Sequence, residues 1–142
     1  MPSPQPSDAE QVKFDENLWP IVVVQMPEGT LIDAELEAVA ARISSYYKRK
    51  VSFGLVLDVR LQADLPASQR RRIAEYMDRD REQYPTVICA TAIVLSNGVQ
   101  RGVFNVMSWL VKRSAPSRAC STVNEGVSWL REWLRSQMHE KP

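Results

Sequence analysis

The sequence lacks most of the residues from which familiar catalytic centres are built. It contains one histidine, His139, close to the C-terminus, and two widely separated cysteines, Cys89 and Cys120. A Ser-His-Asp or Cys-His arrangement needs an ordered, buried histidine. A zinc site usually draws on paired cysteines or histidines, and there is no CxxC motif here. We therefore expect no enzyme of these classes, no metal and no cofactor.

Glycine and long apolar runs are scarce as well. The five glycines form neither GxxxxGK[ST] nor GxGxxG, the usual phosphate-cradling loops. No apolar run approaches the roughly 18 residues that a membrane span needs, and the N-terminus lacks the basic and apolar regions of a secretory signal. Both cysteines lie in apolar segments, as buried reduced thiols do. The setting of the cysteines predicts free thiols. The lack of a signal sequence and of a long apolar run predicts a cytoplasmic location and no membrane insertion.

The charges nearly cancel, with 18 Lys and Arg against 17 Asp and Glu. No global field attracts the chain to nucleic acid, so no nucleic-acid partner is expected. A length of 142 residues and a hydrophobic content of 44% are enough for one domain with a real core. Three prolines and several polar residues at the start predict a disordered leader. The predicted organisation is a leader at 1–11, one domain at 12–138 and a frayed tail at 139–142.

Three apolar runs rich in β-branched residues predict long central strands, at 21–26, 51–60 and 87–95. Helical periodicity follows each of these strands. Thr122 with Glu125 forms a capping box for a last helix. The predicted helices begin near 30, 66, 100 and 123. Short strands are predicted at 12–16 and 118–121. This alternation predicts an α/β fold with a mostly parallel sheet covered by helices, and an N-terminal hairpin makes the sheet mixed. Tyr46 and Tyr47 face different ways on their helix, so one of them is expected to be exposed.

The segment 51–72 carries the most suggestive polar residues. Asp58 and Arg60 end a central strand, and Arg70, Arg71 and Arg72 occupy the first turns of the following helix, where the helix dipole is positive. That arrangement favours an anionic partner for one or two of the arginines, although a solvated helix face is the simpler alternative. Asp58 can hold a metal or a proton, or it can pair with a nearby arginine. A small enzyme built on Asp58 and Arg60 is the least favoured hypothesis.

A second loop follows the third central strand and contains Asn97 and Arg101. Loops that leave the same ends of parallel strands lie close together. We therefore predict a single partner-binding surface formed by both loops and the helix start, with these residues: Asp64, Ser68, Arg71, Arg72, Asn97 and Arg101.

Three segments, LVLDVR, AIVLSNGVQRG and EGVSWLREWL, resemble those of a known family. Over residues 14–133 the chain resembles the SpoIIAA-like, STAS-related domains of bacteria. The resemblance implies a mixed sheet with helices on its faces, no cofactor, and regulatory signalling through contact with a kinase, a phosphatase, an anti-sigma factor or another signalling protein. Some relatives bind lipids or nucleotides, which leaves a second hypothesis open, a carrier or sensor of a small lipid-like or anionic ligand.

The chain departs from that family at one position of consequence. The family's antagonists carry a DSSG-like loop with a phosphorylated serine at the start of a helix, whereas the same region here reads ADLPASQR. Ser68 is the candidate phosphorylation site, because the dipole and Arg71 or Arg72 would stabilise a phosphate there. The alternative is that Ser68 is an ordinary first-turn residue.

Overall fold

The computed structural model describes residues 12–62, 66–96 and 116–140. The strands are β1 (Lys13–Leu18), β2 (Ile21–Gln25), β3 (Phe53–Asp58), β4 (Cys89–Val94) and β5 (Ser117–Cys120), and the helices are α1 (Asp33–Tyr47), α2 (Ala67–Gln83) and α3 (Val123–Glu140). The three predicted central strands are confirmed, and their ends agree to within two residues. The predicted helix at 100–112 and the leader at 1–11 lie outside the described residues. Helix α3 continues to Glu140, so it enters the segment that was predicted as a tail at 139–142.

The five strands form one mixed sheet in the order β1-β2-β3-β4-β5. β1 runs antiparallel to β2, and every other neighbouring pair is parallel. The α/β fold with a mostly parallel, mixed sheet is therefore confirmed. Since β2, β3 and β4 run the same way, their carboxyl ends meet at one edge of the sheet.

The two faces of the sheet hold separate cores. Helices α1 and α2 cover the first face, which includes Val22, Val24, Phe53, Leu55 and Ile93. Helix α3 covers the second face through Val127 and Leu130, which pack on residues that include Ile21, Val56, Ala92 and Val94. Each core contains one of the two cysteines, Cys89 on the first face and Cys120 on the second. Both are buried free thiols, and the sheet separates them.

An aromatic cluster attaches the end of α1 to the sheet. The ring of Phe53 lies 5.7 Å from that of Trp19, 5.8 Å from that of Tyr46 and 5.1 Å from that of Tyr47. Both tyrosines are buried, so the expectation that one of them is exposed is wrong. The reason is that Tyr46 turns toward the hairpin, where its hydroxyl donates to Glu16 Oε2 at 2.6 Å, while Tyr47 turns toward the sheet.

Helix α3 lies unusually close to the sheet because glycine occupies both sides of the contact. A Cβ atom at Gly54 would lie 2.8 Å from Leu130 Cδ2, and one at Gly126 would lie 3.1 Å from Ala92 Cβ and 3.3 Å from Val56 Cγ1. Leu130 is fully buried, and its Cδ1 and Cγ would also lie 3.0 Å and 3.1 Å from a Cβ at Gly54, so more than the end of its side chain would have to shift. The second face is thus closely packed at this contact, and the position of α3 depends on these glycines.

We expect Gly54→Ala to lower the free energy of unfolding by about 1–3 kcal/mol, because the added methyl group overpacks the contact with Leu130. Urea denaturation followed by circular dichroism measures the change. Ser128→Ala, on the exposed side of α3, is the control and should unfold like the wild type. Equal stability of Gly54→Ala and the wild type would show that α3 can move away from the sheet at little cost.

Candidate functional site

The carboxyl edge of the sheet brings together the loops that follow β2 and β3. The Met26 amide donates to the Asp58 carbonyl at 3.0 Å, and the Val59 amide donates to the Val94 carbonyl at 3.2 Å. One step further along, the Gly29 amide donates to the Leu61 carbonyl at 3.1 Å. The chain after β3 is therefore held against both of its neighbours before it enters α2.

Asp58 and Arg60 form a bidentate ion pair at this edge. Arg60 Nη2 lies 2.8 Å from Asp58 Oδ2, and Arg60 Nε lies 2.9 Å from Asp58 Oδ1. The Arg60 amide also donates to Asp58 Oδ1 at 3.2 Å. The Arg60 hydrogen bonds outweigh the effect of burial and hold the pKa of Asp58 below its ordinary value. Asp58 was predicted either to hold a metal or a proton or to pair with a nearby arginine. This geometry favours the pair with an arginine, which stabilises the loop after β3.

Ser68 and Arg71 lie exposed on the first two turns of α2. The helix begins after Pro66 and has no acidic residue in its first turn. Neither side chain makes a hydrogen bond or an ion pair with any residue the structure describes. Because residues three apart share a helix face, Ser68 and Arg71 are neighbours on the surface.

Arg72, in contrast, is already engaged within the fold. Its guanidinium pairs with Glu37 of α1 and donates to the Tyr76 hydroxyl at 2.8 Å. The guanidinium also lies 5.4 Å from the centre of the Tyr76 ring. Arg72 thus links α1 to α2, and about half of its side chain remains exposed.

The other three predicted surface residues, Asp64, Asn97 and Arg101, lie outside the described residues. The structure places Ser68, Arg71 and Arg72 together on α2, and the joint surface with the second loop stays a prediction. Within the ranges described, no group of three or more His, Cys, Asp or Glu could hold a metal ion. No helix in the same ranges has the length and apolar character to cross a membrane.

Three further residues lie at this edge; Ile32 was not predicted as part of the surface, whereas Leu61 and Gln69 bound the first loop that the sequence assigned to it. Ile32 and Leu61 expose 62% and 54% of their surface in the neighbouring loops, so they add apolar area beside the arginines. Gln69 is buried, and its Nε2 donates to the Leu31 carbonyl at 2.6 Å, which ties the start of α2 to the loop before α1. Ile32 lies four residues before Leu36, so helical periodicity assigns it to the apolar face, but the helix begins only after it.

We expect Arg60→Ala to lower the free energy of unfolding at pH 7 by about 1–2 kcal/mol, since it leaves the buried Asp58 carboxylate without its cation. A fully buried pair would lose about 3–5 kcal/mol, but solvent screens this one because the Arg60 side chain is 40% exposed. Urea denaturation at several pH values measures the effect, with the exposed Arg118→Ala as control.

The pH dependence follows from the lowered pKa of Asp58. A carboxyl whose pKa is lower in the folded state stabilises the fold above its unfolded pKa of about 3.9, and this contribution is lost as the pH falls through the folded pKa. The difference between wild type and Arg60→Ala should therefore shrink below about pH 4. A difference that stays constant down to pH 3 would contradict this account of the pair.

Comparison with known proteins gives structural but not sequence matches. No protein-family profile matches the chain, and no curated protein sequence does. An uncharacterized protein of the DUF3478 family with a SpoIIAA-like fold, from Shewanella loihica PV-4, superposes with a TM-score of 0.61 at 10% identity over 84% of this chain and 91% of its own.

Two further solved structures agree with that match. The anti-sigma factor antagonist SpoIIAA in its unphosphorylated form gives a TM-score of 0.58 at 17% identity, over 84% of this chain and 97% of its own. An anti-sigma factor antagonist from Mycobacterium paratuberculosis gives a TM-score of 0.57 at 13% identity, over 85% of this chain and 93% of its own. The resemblance noted in the sequence is therefore confirmed at the level of the fold, and this chain has a SpoIIAA-like fold.

Proposed function

We propose that this chain is a non-catalytic regulatory module of bacterial signalling that binds another protein at the carboxyl edge of its sheet. The observation that carries the proposal is the start of α2, where Ser68 and Arg71 are exposed together and make no described contact. Arg71 lies in the second turn of α2, where the dipole disfavours a cation only slightly, and a partner's anion would offset that cost.

The partner that suits this surface is a protein with an acidic patch and an apolar centre. Arginine makes bidentate contacts with carboxylates and phosphates. Ile32 and Leu61, exposed at the same edge, supply the apolar contact on which interface affinity commonly depends. A kinase, a phosphatase, an anti-sigma factor or another signalling protein is the proposed partner, and two structurally similar proteins are anti-sigma factor antagonists, which supports this class.

Ser68 is proposed as a phosphorylation site within this surface. It is exposed in the first turn of α2, three residues before Arg71. A phosphate there would interact favourably with the helix N-terminus and with the guanidinium. Because the chain has no DSSG-like loop, the proposal depends on this local geometry.

Catalysis at Asp58 is not part of the proposal, since Arg60 binds both oxygens of that carboxylate. A cytoplasmic location, and the absence of nucleic-acid binding and membrane insertion, belong to the proposal as expectations from the charge balance and the short apolar runs.

We expect Arg71→Ala to weaken partner capture at least tenfold, because loss of an arginine at an interface centre commonly costs about 2 kcal/mol or more. Immobilised wild type would first retain partners from a lysate of the native cell, and the affinity of the purified partner would then be measured for each variant. Arg131→Ala, exposed on α3 across the sheet, is the matched control. The melting temperature of both variants should be nearly that of the wild type. If both variants also bind the partner as the wild type does, the binding surface lies elsewhere.

We expect Ser68→Asp to change the affinity for the same partner and Ser68→Ala to leave both folding and binding nearly intact, because only the first adds charge at the helix start. Mass spectrometry of protein from native cells would look for phosphate on Ser68. Ser128→Asp adds the same charge to the exposed side of α3 and should have no effect. If Ser68 carries no phosphate in native cells and Ser68→Asp binds the partner as the wild type does, Ser68 is not a phosphorylation switch.

A further inference from the structure

The two faces of the sheet differ in how completely they are filled. On the second face, α3 leaves no space above Gly54. On the first face, a cavity of about 240 Å³ separates the sheet from α1 and α2. Its wall is mainly apolar, and the side chains that form it include Ile43, Leu55, Leu57, Ile73, Met77 and Ile93.

Helix α2 shows why this space is unfilled. Its two buried residues are Gln69 and Asp80, both polar. Its inward apolar side chains, Ile73 and Met77, stay partly exposed although they point toward the core. An amphipathic helix normally buries its apolar stripe. Here that stripe borders the cavity, and a molecule inside it would complete the burial.

Buried polar side chains, among them Asp80 and Gln62, line the cavity, and Asp80 is the one that carries a carboxylate. Asp80 lines it and is 5% exposed. The Ser44 hydroxyl donates to Asp80 Oδ1 at 2.8 Å, while no residue in the described ranges donates to Oδ2. Tyr47, Cys89 and Thr91 belong to the same wall. A donor on a bound molecule that reached this carboxylate would add a hydrogen bond to the one from Ser44.

The size of the space limits what can enter. An engineered apolar cavity of about 150 Å³ binds benzene, and by that scale this one takes about ten non-hydrogen atoms. A long acyl chain has more atoms than that, and an anionic group would be repelled by Asp80. The exposed wall residues Arg81, Pro85 and Ile88 mark the side where the cavity meets solvent.

We infer that this cavity is a binding site for a small, mostly apolar molecule of bicyclic size that carries one hydrogen-bond donor, which bonds to the Asp80 carboxylate. The apolar lining accounts for the body of the ligand, and Asp80 accounts for its single polar group. The inference goes beyond the proposed protein-binding function and does not rest on it. Of the ligands in the second hypothesis from the sequence, it excludes an anion and a long acyl chain.

Isothermal titration of the full chain with indole and with benzofuran tests the site. The two probes have nearly the same shape, but only indole has an N–H donor. Indole should bind at one site, and benzofuran should bind at least tenfold more weakly. Absence of saturable indole binding would overturn the site, and equal binding of the two probes would overturn the role of Asp80.

Two adjacent alanines of α1 provide a matched pair of variants. Ala40 lines the cavity, whereas Ala41 is exposed and does not. Ala40→Phe should fill the space and abolish indole binding, and Ala41→Phe should bind indole as the wild type does. Retained binding by Ala40→Phe, or loss of binding in both variants, would contradict the location.

Methyl NMR of the wild type gives a result that does not depend on any variant's folding. Indole should shift the methyl signals of Ile73, Met77 and Ile93, and leave those of Val127 and Leu130, across the sheet, unchanged. Shifts confined to the α3 face would refute the proposal. Arg71→Ala should bind indole normally, so a failure of the cavity site and a failure of the protein-binding surface can be told apart.

Discussion

The parallel pairing of β2, β3 and β4 is the constraint on which the rest of this domain depends. In this pairing Gly54 lies between Ile21 and Ala90, so two small residues adjoin on the face that α3 covers. The same pairing brings the carboxyl ends of the strands to one edge, where Asp58, Leu61 and the start of α2 meet. The two separate cores depend on this register, since a slip of one residue would turn each strand side chain to the opposite face.

The unequal packing of the two faces has consequences for stability and for binding. Glycine allows α3 to approach the sheet closely, so little space remains at that contact. On the opposite face, larger sheet side chains and two helices of modest apolar content leave a cavity. Helix α2 contributes Arg71 to the outer surface and Met77 to the cavity wall, so one element serves both proposed sites, and the Arg72–Glu37 pair connects it to α1.

Sequence patterns predicted the strands well because a buried strand of a parallel sheet is apolar on both sides, and the runs at 21–26, 51–60 and 87–95 are. The last helix was also predicted at its start, where the Glu125 amide donates to Thr122 Oγ1 at 3.1 Å. The prediction of where α1 starts was less accurate. The start was predicted near residue 30, but the helix begins after Ile32, whose amide donates to Glu35 Oε1 at 3.0 Å.

The sequence by itself determined the class of fold, the alternation of strands and helices, and the exposure of Ser68 and Arg71 at a helix start, because each depends on local periodicity and propensity. The tertiary structure alone decided that Tyr46 and Tyr47 are both buried, that Arg72 binds Glu37, and that space remains beneath α2. Those features depend on the distances between elements far apart in the chain, and such distances are set by how side chains of different sizes pack against one another.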